Sequence, residues 1–257
     1  MQDRYVGDVG DFGKYALLRR LCGSSGERPI RLAVIWCYFP DESHSNDGRH
    51  VSYLRSKEFN TLDYELYVRL QTIVEANRRA ISSISNAAIL PEGTVYCDDP
   101  ISQFGTDRLG PDARLNHRIQ WLKSCTMRTW GCDLVFFDPD NGVEVASVPK
   151  HGLKSGKYIY WDELSPFWQR GNSLLIYHHL NRTASAARQV EVLAQRFAAK
   201  LDGAKILPLV FRRGSSRVFW LIHRGDDLGR ELARRAADML SGDWSRHFRP
   251  FGWPTMN

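Results

Sequence analysis

Residues 133–144 read DLVFFDPDNGVE. Four apolar residues, Leu134 to Phe137, run into a group of acids and an amide: Asp138, Asp140, Asn141 and Glu144. A carboxylate fixed where a buried strand ends can orient a water molecule and stabilise a cationic sugar transition state. Asp138 and Asn141 are therefore read as catalytic, with Asp140 beside them as a substrate contact. The plainer alternatives are a turn-forming aspartate before Pro139 and an Asn141-Gly142 tight turn. A second group lies in YVGDVGDFGKY, residues 5–15. Asp8 and Asp11 are read as completing a polar catalytic pocket, and Lys14 as an anion contact. Asp11 as a helix N-cap and Lys14 as its ion-pair partner are the structural alternatives. Asp47, Arg49, His178, His179, Arg212 and Arg213 complete the substrate-binding set. Strand alternation sends one of the two adjacent histidines inward. Asp8, Asp11, Asp47, Asp138 and Asp140 are also hard oxygen donors of the kind that magnesium-dependent nucleases gather. Their spacing fits no clean catalytic pattern, and no metal is expected.

These residues need elements to carry them. The spacing of Phe12, Tyr15, Ala16, Leu18 and Leu21 predicts a helix over 11–22. Buried strands are expected at 30–39 and 172–180, a short strand at 93–99, a strand with its exit loop at 133–142, and a short strand or turn into a helix at 157–164. One long helix is expected at 62–84, and others at 112–125, 186–201 and 227–240. AKILPLVFR and RVFWLIHR flank RGSS as a hairpin. Strands alternating with helices predict a mostly parallel sheet covered on both faces, with the hairpin as an antiparallel edge. In such sheets ligands bind beyond the carboxyl ends of the strands. Polar clusters recur at four of those ends: PDESHSNDGRH, DDP, DPDNG and HHLNR. Asp162-Glu163 reads as a helix cap, and Trp36 and Trp161 as core.

The 257 residues suit one α/β domain over 1–257, with 43% hydrophobic and 25% charged residues. No apolar run is long enough for a membrane span, the N-terminus lacks a signal-peptide core, and a cytoplasmic protein is expected. Five cysteines without close pairing read as reduced thiols rather than a zinc or disulfide framework. A net charge of +6, with abundant Trp and Tyr, favours a polyanionic partner that stacks bases, DNA ahead of RNA. Arg212, Arg213, Arg217 and Trp253 are candidates for phosphate contacts and an aromatic wedge.

The segment YVGDVGDFGKYALLRRL resembles the N-terminal motif of bacterial 23S ribosomal RNA adenine-N6 methyltransferases. There a Gly-Asn-x-x-Asp-x-x-Lys-His run opens a helix that leads into the first strand. Gly7, Asp8, Asp11, Lys14 and Tyr15 stand at the matching positions. VFFDPDNG stands where that family carries Asp-Pro-Pro-Tyr at a strand end. The resemblance covers about a third of the chain. It implies a Rossmann-like methyltransferase fold and, for a methyltransferase, S-adenosylmethionine as cofactor. Two departures stand against that chemistry. The turn after the first strand, WCYFPDESHSNDGRH, is bulky where close cofactor approach calls for glycines. Asp140 and Asn141 replace the proline and the aromatic that stacks on a flipped adenine. The sequence therefore predicts a reused scaffold: a nucleic-acid hydrolase acting like a DNA glycosylase on a modified base, without a cofactor. Defence against modified phage DNA would suit such an enzyme. The alternatives are an adenine-N6 methyltransferase, then a metal-dependent nuclease or a non-catalytic nucleic-acid-binding module.

Overall fold

The computed structural model describes residues 1–23, 29–41, 48–101 and 109–250. Asp47 and Trp253 lie outside the described residues.

Asp8 opens helix α1 (Val9–Cys22) by accepting a hydrogen bond from the Asp11 amide at 2.9 Å, an N-cap that satisfies one of the helix's unpaired donors. Strand β1 (Leu32–Ile35) follows, then α2 (Lys57–Asn60), α3 (Tyr64–Glu75), α4 (Ile81–Asn86) and β2 (Val95–Cys97). Next come α5 (Pro111–Arg128), β3 (Leu134–Phe137), β4 (Gly142–Val143), β5 (Tyr158–Ile159), α6 (Trp161–Gln169) and β6 (Ser173–His179). The chain ends with α7 (Ala186–Lys200), β7 (Lys205–Phe211), β8 (Arg217–His223), α8 (Asp227–Ser241) and β9 (Phe248–Pro250).

Seven strands form one sheet in the order β2-β1-β3-β6-β8-β7-β9. β2, β1, β3 and β6 are parallel, and β8 runs against both β6 and β7. The architecture is the expected α/β class, Rossmann-like and mostly parallel with helices on both faces. Alternation along the strands divides the core. Leu134 and Phe136 face the layer containing α1, α3 and α8, while Val135 and Phe137 face α5, α6 and α7.

One expectation needs correction. The 62–84 helix is two helices, because Asn77 adopts a left-handed conformation (φ 52°) that a continuing helix cannot accommodate. The hairpin forms the antiparallel side of the sheet, as expected, with its strands in reverse of chain order. Its second strand, β8, is inserted beside β6, which leaves β7 outside it. The tail supplies a further strand, β9, on β7. The thiols are free, as expected, and Trp36 and Trp161 are buried. Among the described residues, no helix is long and apolar enough to cross a membrane.

Candidate functional site

Chain direction and strand parity together build one polar cavity of about 340 Å³. Asp138 continues the parity of Leu134 and Phe136 and so emerges from β3 on the α1 face. Tyr177 and His179 emerge on the same face of β6. Because β8 is reversed, its first residue, Arg217, lies opposite His179, at the edge where β3 and β6 end. The first turn of α1 closes the cavity with Asp8, Gly10, Asp11 and Lys14.

The carboxylates are held by buried cations. Lys14 Nζ donates at 2.7 Å to both Asp11 Oδ1 and Asp138 Oδ2, and all three side chains are almost wholly buried. Asp11 Oδ2 also accepts from the Tyr15 hydroxyl at 3.0 Å and from the Gly7 amide at 3.1 Å. Burial opposes the Lys14 ammonium, but the Asp11 and Asp138 charges outweigh it and raise Lys14 above the ordinary lysine range. Burial raises the Asp138 carboxyl despite Lys14 beside it. Burial, then repulsion from Asp11, likewise raises Asp8, while Arg217 pulls it back. Lys14 is therefore Asp11's ion-pair partner, the structural alternative, and it also lines the cavity.

The crevice between the ends of β1 and β3 is filled by the chain. This is where the strand order reverses, the usual ligand position in an open α/β sheet. The Met1 ammonium donates to the Cys37 carbonyl at 3.1 Å and to the Asp138 carbonyl at 2.9 Å, and it pairs with Asp140 Oδ1 at 2.8 Å. Gln2 Nε2 donates to the other oxygen of Asp140. The Phe39 amide donates to the Met1 carbonyl at 2.9 Å. The open cavity thus lies to one side of the switch point, over β3, β6 and β8.

Asn141 is fixed through its backbone, donating to the Lys157 carbonyl at 2.9 Å and accepting from the His179 amide at 3.1 Å. Its side-chain amide makes no hydrogen bond among the described residues and lines the cavity. Gly142 has φ 114°, and an added Cβ would lie 2.2 Å from His178 Nδ1, so the turn needs glycine twice over. Asn141-Gly142 is thus both the tight turn and a cavity wall.

The sequence candidates separate cleanly. Asp8, Asp11, Lys14, Asp138, Asp140, Asn141 and His179 all line the cavity. His178 points to the opposite face, where its Nδ1 accepts from the Val143 amide at 3.2 Å. Burial lowers His178 to about 4, so it is neutral near pH 7 and cannot be a cationic phosphate contact there. Arg213 is used internally, donating to His247 Nδ1 at 2.8 Å and Glu58 Oε1 at 2.9 Å. Arg49 and Arg212 are exposed and do not line the cavity. The Asp98-Asp99 pair is exposed and bound to Arg128. Glu163 caps α6 by accepting from the Tyr160 amide and pairs with Arg118, as expected for a cap. Arg217, a phosphate-contact candidate from the sequence, also lines the cavity, as do Tyr5, His50, Tyr177 and Ser215, which the sequence reading did not single out. Strand parity with His179 was the available signal for Tyr177. Among the described residues, no group of three metal-ligating side chains is positioned to hold a metal ion.

Compared with known proteins, the chain matches no family model, no curated protein and no solved structure.

Proposed function

We propose that the protein hydrolyses the bond between base and sugar in a nucleotide of DNA extruded into this cavity. The observation that carries the reading is the division of the sheet edge. The switch-point crevice is filled by Met1 and Gln2, while a cavity of about 340 Å³ lined by Asp8 and Asn141 stays open beside it. In the resembling methyltransferases, the β3 exit is where a flipped base is held. A cavity near the small end of ligand sites suits one nucleotide and not a duplex, which requires extrusion. The Tyr5 and Tyr177 rings in its wall supply stacking surfaces in place of the missing aromatic at 141. The net charge of +6 suits a polyanionic substrate.

In this mechanism a water held by the free Asn141 amide attacks C1′ as the bond to the base nitrogen breaks, and that electron pair leaves with the base. Asp8 takes the proton from the water and passes it to the departing base. Its raised affinity for protons suits this exchange. The Lys14-bridged pair of Asp11 and Asp138 fixes the floor of the site, and its carboxylates favour positive charge developing on the sugar.

The test is incubation with duplex DNA carrying modified and unmodified bases, with RNA in parallel, followed by alkali. Alkali-labile sites are expected on DNA. Asp8→Asn should reduce them by about 100-fold or more while leaving the fold intact, because asparagine caps a helix about as well as aspartate. Unchanged activity in Asp8→Asn, or no alkali-labile sites on any substrate, would overturn the reading.

A further inference from the structure

Arg217 is only 5% exposed. Its Nη2 donates to Ser215 Oγ at 2.7 Å, but its buried Nε has no acceptor, and Nη1 makes no hydrogen bond among the described residues. The guanidinium packs over the Phe211 ring at 5.8 Å. It also covers Gly10, where an added Cβ would lie 1.3 Å from Nη1. No described carboxylate comes within ion-pair distance, and Asp8 stops just short of it. Every other buried cation of the site has an acid: Lys14 has Asp11 and Asp138, and the Met1 ammonium has Asp140. A desolvated guanidinium with unmade hydrogen bonds and no carboxylate in contact is costly, and such groups persist where a ligand completes them.

We infer that Arg217 and Ser215 form an anion clamp that takes a backbone phosphodiester of nucleic acid next to the nucleotide in the cavity. Nη1 of Arg217 donates to one phosphate oxygen. The Ser215 hydroxyl, whose oxygen already accepts from Nη2, turns its own hydrogen towards another. His50 and His179 line the same cavity. The nucleotide as occupant rests on the function proposed above, whereas anion binding at Arg217 does not.

The experiment is calorimetry and thermal melting of the full chain with two probes, inorganic phosphate and a thymidine dinucleotide joined by one phosphodiester. The variants are Arg217→Met, Arg217→Lys and Ser215→Ala. Both probes are expected to bind and to raise the melting temperature of the wild type, the dinucleotide more tightly. Arg217→Met should lose at least tenfold in affinity for both, with Arg217→Lys and Ser215→Ala intermediate. If Arg217→Met does not fold, the other two variants carry the comparison. Equal binding by the wild type and the variants, or no binding by either, overturns the clamp. Arg217-dependent binding of inorganic phosphate tighter than that of the dinucleotide overturns the nucleic-acid assignment. A functioning clamp in a protein that forms no alkali-labile sites would sink the proposed reaction and leave the clamp standing.

Discussion

Replacing Lys14 with methionine tests the electrostatic floor of the site. Methionine keeps most of the side-chain volume but deletes the cation that bridges Asp11 and Asp138. The three side chains are at most 4% exposed, so water screens the pair weakly. Asp11 would keep its bonds from Tyr15 and Gly7. Asp138 would lose its side-chain donor outright. Removing one partner of a buried ion pair typically costs about 3–5 kcal/mol. For a chain of this size that is a fall in melting temperature of about 6–20 °C. The pH dependence gives a sharper check. Burial already holds Asp138 above the ordinary carboxylate range, and losing Lys14 raises it further. A carboxyl raised in the folded state destabilises once pH exceeds its unfolded value, and most fully above its folded value. The penalty should therefore be largest at about pH 8 and shrink towards about pH 5 as Asp138 takes up its proton. Urea unfolding of wild type and Lys14→Met at both pH values measures this, and Lys14→Met/Asp138→Asn should recover part of the loss. A variant within about 0.5 kcal/mol of wild type at about pH 8, or a penalty that does not change with pH, would refute the reasoning.

Gly10→Ala should fold normally, because the atom it displaces is the tip of a flexible side chain, yet it should weaken phosphate binding by moving Arg217 Nη1; calorimetry reads the affinity and melting the fold. His178, lowered by burial to about 4, stabilises the fold fully above its unfolded value of about 6.5, and that contribution disappears as pH falls to about 4. His178→Gln, which keeps an acceptor for Val143, should therefore flatten the acid limb of a stability–pH curve, and an unchanged limb would count against the assignment. Calorimetric titration with S-adenosylmethionine should give no heat, because Met1 and Gln2 fill the crevice; saturable binding would revive the methyltransferase alternative.

Much of the sheet was legible because buried parallel strands are short apolar runs whose exits must be polar. Asp138, Asp140, Asn141 and His179 follow from that rule, whereas the N-cap reading fell on Asp11 and the cap is Asp8, three residues earlier. The sequence could not tell which of His178 and His179 faces α1, since parity fixes alternation but not the side on which a helix packs. It also could not order the last three strands. Arg212, Arg213 and Arg217 are chemically alike in the sequence, and only the reversal of β8 puts the third at the cavity while Glu58 and His247 engage the second. The break at Asn77 is a backbone event that an unbroken apolar periodicity conceals.

The reversed β8 also sets when the site can exist. Its walls come from residues 1–14, 48–50, 138–141, 177–179 and 215–217, and the Lys14–Asp138 bond alone spans 124 positions of sequence. Loop closures of that length are slow, and none of them can bring in Arg217 before the ribosome has released the final hairpin. A growing chain therefore makes Asp8 and Asp138 well before it can assemble the pocket, which closes only when β8 docks beside β6.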